Sequence, residues 1–137
     1  LPALVPELHV DDLERSLAFW RDACGFSIVF RRQEERFVFM ERGRAQLMLC
    51  QRHARYETGA MDHPLGQGAM FQIYVADLEP LLAALEKIHW PLYEEPRQAW
   101  YRAGTRENGL HQFMVQDPDG YLIMFAHRLG ARAKRAT

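Results

Sequence analysis

Glu7 and His9 are the first residues of the chain whose types and spacing can do chemistry. They stand two apart in a strand-like run, so both side chains share one face. A carboxylate beside an imidazole is the pairing that proton transfer uses. Two neighbours on a strand are not yet a mechanism. Together with His111 they also offer the donor types of a metal site. The other histidines are His53, His63, His89 and His127, and no two of the six are i, i+4 partners on a helix. His53 and His63 fall in or beside a linker, where exposure is expected. No HExxH, GxSxG or Gly-rich phosphate loop occurs. Cys24 and Cys50 form no CxxC, so buried free thiols in a reducing cytosol are expected. Trp100 and Tyr101 form an aromatic pair on which a flat molecule can stack, worth about 0.5–1.5 kcal/mol beyond area burial.

Elements must hold these groups in place, and the composition allows them. The chain has 137 residues, 48% apolar and 26% charged, enough for a core without staples. A net charge of −1 gives no footing for nucleic acid or an acidic membrane surface. No apolar run is long enough to span a bilayer and no signal-peptide pattern is visible, although a start at Leu1 leads us to expect residues ahead of it.

Residues 4–10 read as a strand, with Pro6 favouring an edge position. Asp12 suits the N-cap of a helix whose apolar face is Leu13, Leu17, Trp20 and Cys24, with Gly25 as its stop. Trp20 and its neighbour Phe19 are assigned to this helix, Trp20 as core. Residues 26–32, 37–42 and 45–51 read as strands, and 53–67 as a linker. Then come a strand at 69–75 and a helix at 78–89. Asp77 caps that helix, Leu78, Leu81, Leu82, Leu85 and Ile88 form its buried face, and Pro91 and Pro96 stop it. Residues 97–102 are a strand candidate and 104–109 a polar loop. Asp117-Pro118-Asp119-Gly120 has the residues of a type I turn, joining strands 111–116 and 121–127 in a hairpin. Past Leu129 a small, basic tail (Arg132, Lys134, Arg135) is expected to fray.

Val10-Asp11-Asp12-Leu13-Glu14 matches Val75-Ala76-Asp77-Leu78-Glu79 at an offset of 65, and Leu17-Ala18 matches Leu82-Ala83 at the same offset. Both halves then run strand, helix, strand, strand, strand, which marks a tandem βαβββ duplication. The expected fold is α+β, with paired modules curving a mixed sheet into a trough. The modules are 1–52 and 68–128, joined by linker 53–67 and followed by tail 129–137, in a single structural domain.

This pattern resembles the vicinal oxygen chelate superfamily, over about residues 4–128. The words that carry the resemblance are Leu17-Ala18-Phe19-Trp20 with Gly25-Phe26, and Phe113-Met114-Val115-Gln116 running into Asp117-Pro118-Asp119-Gly120-Tyr121. The superfamily holds glyoxalase I, extradiol dioxygenases, fosfomycin-modifying enzymes and bleomycin-binding proteins. Counting from the shared landmarks, its four metal-ligand positions fall on Val5, Met48, Met70 and Met124. Val offers no donor and a thioether is a soft, weak one. Three methionines could suit Cu(I), but Met is more often an adaptable filler of an apolar pocket. A slip of one residue brings in no ligand. The resemblance therefore implies the bleomycin-resistance-like branch: a cytoplasmic homodimer, interlocked through an arm at Pro6, that sequesters a small amphipathic or aromatic molecule without metal or other cofactor.

Strand parity puts Glu7, His9, Gln46, Met48, Cys50, Met70, Gln72, Tyr74, Leu122, Met124 and Ala126 on the trough face. The expected ligand contacts are Glu7, His9, Gln46, Met48, Met70, Gln72, Tyr74, Trp100, Tyr101 and Met124. The bleomycin binders carry a Trp where this chain reads Asn108-Gly109, which counts against bleomycin itself. So does the near-neutral charge. The alternatives are a glyoxalase- or dioxygenase-type metalloenzyme with relocated ligands, and a dimeric scaffold or sensor with a collapsed trough.

Overall fold

The chain runs βαβββ twice. The computed structural model describes residues 2–134. The first run is β1 (Glu7–Val10), α1 (Leu13–Leu17), β2 (Ser27–Arg32), β3 (Phe37–Arg42) and β4 (Ala45–Gln51). The second is β5 (Met70–Tyr74), α2 (Glu79–Lys87), β6 (Glu94–Ala103), β7 (Arg106–Gln116) and β8 (Leu122–Ala133). Each run makes a four-stranded sheet, ordered β1-β4-β3-β2 and β5-β8-β7-β6. In both, the first strand pairs in parallel with the last and the other pairs are antiparallel. Identical topology is what the internal repeat requires, and the α+β expectation holds. Among the described residues no helix is long and apolar enough to cross a membrane.

The chain divides into two compact units. The first unit contains the chain up to Gln67 together with Asp117–Tyr121. The second contains Gly68–Gln116 and the strand that begins at Leu122. The hairpin turn thus belongs to one unit while its two strands belong to the other.

In the first unit, Asp12 caps α1 by accepting a hydrogen bond from the backbone N–H of Arg15. The helix then widens into a π-helical segment, Ala18–Ala23, in which Cys24 N–H donates to the carbonyl of Phe19 at 2.9 Å. This widening turns both Phe19 and Trp20 inward, whereas ordinary helical spacing would put only Trp20 on the Leu13–Leu17 face. Trp20 and Phe26 meet edge to face, with centroids 5.4 Å apart.

The turn is held by its own side chains. Gly120 N–H donates to the carbonyl of Asp117 at 2.9 Å, closing the β-turn. Asp117 Oδ1 accepts from the N–H groups of Asp119 and Tyr121, and its Oδ2 accepts from Trp20 Nε1. Asp119 accepts from the N–H of Asp11, the guanidinium of Arg15 and the hydroxyl of Ser16. Tyr121 Oη donates to the carbonyl of His9 at 2.8 Å. Both aspartates are buried, and these donors replace the water that they lose.

Several expectations are corrected. Of residues 104–109, expected as a loop, only 104 and 105 turn, and 106–109 belong to β7. The strands β6 and β7 meet in a tight hairpin, with Ala103 opposite Arg106. Residues 130–133 do not fray, because β8 continues to Ala133 with Ala133 paired to Arg106. Arg135 lies outside the described residues. Pro96 does not stop a helix but sits in β6, where the register shifts between Glu94 and Arg97. In α2 the cap position is Leu78, although the Asp77 carboxylate still accepts from the N–H of Glu79 at 3.0 Å. Ile88 lies past the last turn and is exposed rather than buried.

Candidate functional site

The sequence-derived site residues separate into two groups, one in each unit. In the first unit, β1 and β4 pair Glu7 with Met48 and His9 with Cys50. Strand β3 adds Phe39 opposite Met48 and Phe37 opposite Cys50. Glu7, His9, Met48 and Cys50 therefore share one sheet face, as strand alternation requires. Glu7 Oε2 lies 2.7 Å from Nε2 of the buried His9. The His9 ring contacts His53 and Tyr56, with centroids 4.9 and 5.5 Å away. A depression of about 390 Å³ opens here, walled by Glu7, Arg32, Phe37, Cys50, His53 and Tyr56 among others. Burial, with Glu7 and Glu35 nearby, pushes the Cys50 thiol above its usual range. Gln46 lies further along β4, where its Nε2 donates to Glu41 and its buried Oε1 has no partner among the described residues.

His111 belongs to the second unit. It stands on β7 opposite His127 and Gln98. Among the described residues two sets of three donors come close enough to hold a metal. These are His9, Cys50 and His53, and Asp11, His63 and Asp119. The second set already belongs to the turn network, since Asp11 and Asp119 are both tied into it. Arg52 bonds Asp11 and, with His63, holds its carboxyl below the usual range.

The second unit carries a cavity of about 700 Å³, within the range of small-molecule sites. Five of the expected contacts line it: Met70, Gln72, Tyr74, Tyr101 and Met124. Its apolar floor is Leu110, Met114 and Met124. Several of its polar groups are paired with one another. Tyr101 Oη donates to Oε1 of the buried Gln112 at 2.8 Å, and Gln72 Nε2 donates to Tyr74 Oη at 2.9 Å. Arg128 lies over the Tyr74 ring at 3.8 Å, and Arg97 is paired with Glu94. Trp100 does not line the cavity. Its ring lies against Gly109, where an added Cβ would come within 2.7 Å of it, and Arg132 covers the ring at 3.7 Å. Neighbouring strand residues face opposite ways, so Trp100 and Tyr101 could not both contact one ligand on this sheet face.

A comparison with curated proteins finds no match. The family model of the glyoxalase/bleomycin resistance protein/dioxygenase superfamily matches residues 4–125. The chain belongs to that superfamily. Solved structures similar to it include lactoylglutathione lyase from Agrobacterium tumefaciens, at 24% identity and a TM-score of 0.59, over 93% of this chain and 94% of that one. TioX from Micromonospora sp. ML1 aligns at 17% identity and a TM-score of 0.71, over 93% of this chain and all of the other, 100%. These likenesses show the fold.

Within this superfamily fold, Gln112, Leu110, Met114 and Arg97 are cavity residues that the parity reading did not select, and Arg128, which shares the parity of Met124, lies just past the expected end of its strand at 127. The signal for the β7 members lay in the hairpin. Pairing across the Asp117–Gly120 turn puts Met114 opposite Met124 and Gln112 opposite Ala126, on the same face. His53 was missed as a neighbour of His9 because it lies beyond the end of β4.

Proposed function

We propose that this superfamily member binds a small amphipathic or aromatic molecule in the cavity of its second unit and acts by sequestration, with no metal taking part in that binding. The observation that carries this reading is the lining itself. Thioether and aliphatic groups, with Met124 on the floor, stand where a metal-using relative is expected to place hard donors. A few fixed polar groups, led by the Tyr101–Gln112 pair, would orient the ligand.

The lining also narrows the ligand. It carries Arg97 and Arg128 against Glu94, a formal excess of positive charge. A neutral or anionic aromatic molecule suits that balance better than a cationic glycopeptide such as bleomycin. Met70, Tyr74 and Tyr101 are 44%, 47% and 43% exposed. A second copy of the chain, in a homodimer of the drug-binding kind, would cover them, and antibiotic resistance in the cytoplasm is the role this implies. The grouping of His9, Cys50 and His53 favours a second reading, a metalloenzyme with relocated ligands.

The test is a titration of the full chain, in excess EDTA, with the amphipathic aromatic anion 1-anilinonaphthalene-8-sulfonate and separately with bleomycin. Saturable binding of the anion at one site per chain, weakened by Tyr101→Ala, supports the proposal. Binding that appears only after a divalent metal is restored overturns it, and so does the absence of saturable binding to either probe. Tighter binding of bleomycin than of the anion overturns the charge assignment.

A further inference from the structure

We infer that the first unit holds a borderline transition-metal ion, of the Zn(II) or Co(II) class, on His9, Cys50 and His53. This site shares no residue with the cavity of the second unit. Nor does it use the positions Val5 and Met48, at which the resemblance places the superfamily's ligands. One donor atom from each of the three residues lies within 4.8 Å of the other two. Tetrahedral coordination at about 2.0–2.1 Å to nitrogen and about 2.3 Å to sulfur needs only a modest contraction from there.

Two of the three donors are already fixed. His9 and Cys50 are 8% and 5% exposed and stand opposite each other in the parallel β1–β4 pair. The Glu7 carboxylate lies 2.7 Å from His9 Nε2. A carboxylate on one ring nitrogen is the usual outer partner of a metal-binding histidine, and it leaves Nδ1 for the ion. His53 is exposed and its Nδ1 accepts from the N–H of Arg55 at 3.1 Å, which leaves its other ring nitrogen for the metal. A thiolate with two imidazoles selects Zn(II) or Co(II) over Mg(II) and Ca(II). Three protein ligands leave a fourth position open. Cys50 and His53 both wall the depression of about 390 Å³, so that position would face it. On binding, the metal–sulfur bond replaces the thiol S–H bond, and the proton passes to solvent.

The experiment is a Co(II) titration of the untagged full chain after EDTA treatment and dialysis, read by absorption. We expect one equivalent per chain, with a thiolate-to-cobalt charge-transfer band and the intense visible bands of a tetrahedral ion. Cys50→Ser abolishes the charge-transfer band. His53→Ala, at an exposed position, weakens binding while leaving thermal melting of the metal-free protein unchanged. Glu7→Gln, which alters only the positioning partner of His9, weakens binding by roughly 10–100-fold. His63→Ala, in the other donor set, leaves the spectrum as it was. Octahedral spectra without a sulfur band, binding that survives Cys50→Ser and His53→Ala together, or loss of binding with His63→Ala would each overturn the assignment.

Discussion

Trp20 Nε1 donates a hydrogen bond of 3.1 Å to Oδ2 of Asp117, 97 residues further along the chain. The acceptor is a carboxylate with almost no solvent, and burial outweighs its three donors and pushes its pKa up to about 6. The folded state therefore holds the proton more tightly than the unfolded chain, where an Asp titrates near 3.9. Between those values the native state binds more protons, so stability falls as pH rises through the window and is flat above it. The span corresponds to roughly 3 kcal/mol. Urea melts from pH 4.5 to 7.5 are expected to show this decline, and Asp117→Asn is expected to flatten it. An equal slope in both proteins would show that another group is responsible.

The same turn makes a sharp demand at Gly120. Its φ is +102°, and an added Cβ would fall 2.3 Å from Pro64 Cβ and 2.7 Å from Pro64 Cα. The left-handed region alone costs a side chain roughly 1–2 kcal/mol, and backbone cannot move aside as a flexible side chain can. Gly120→Ala is expected to destabilise by at least about 2 kcal/mol in urea melts. Gly104→Ala serves as the comparison, because its positive φ is similar in kind but nothing lies within 4 Å of an added Cβ. A matching loss in both variants would assign the whole effect to backbone conformation.

Cys24 is fully buried, and burial pushes its thiol up to about 12. The thiolate is the reactive form, so both access and charge protect it. Labelling of Cys50→Ser protein with a disulfide reagent at pH 8 is expected to stall in native buffer and reach one thiol per chain in denaturant. Fast native labelling would mean that the helix around Cys24 opens far below the global unfolding free energy.

Much of this fold could be read from short, loud signals. Asp12 as a cap, Phe37–Arg42 and Ala45–Gln51 as strands, and the Asp117–Gly120 turn all appear where turn chemistry and alternation put them. The errors fall where backbone pairing acts without apolar alternation. Arg106, Glu107 and Asn108 read as loop, and Ala131, Arg132 and Ala133 as tail, yet the two segments pair with each other. No hydrophobic pattern announces such a strand, because hairpin geometry simply extends pairing that begins in the core. The candidate site was legible one strand at a time. Met124 follows from its own strand, but Gln112 needs the hairpin register and His53 needs the tertiary fold.

Gln112 provides the most selective test of the second-unit cavity. It is 1% exposed and accepts the hydroxyl of Tyr101, so it fixes the ring on which a flat ligand would lie. Gln112→Leu keeps nearly the same volume, so the fold is expected to survive. The freed Tyr101 loses a hydrogen bond worth about 0.5–1.5 kcal/mol, and binding of the anilinonaphthalene probe should weaken by about 2- to 10-fold by calorimetry. Trp100→Phe is the control. Trp100 is not itself a lining residue and its ring lies on Gly109 under Arg132, so probe affinity should not change. Weakening by Trp100→Phe with no effect of Gln112→Leu would move the binding surface off this sheet face, and the Met-floored cavity would lose its claim to the ligand.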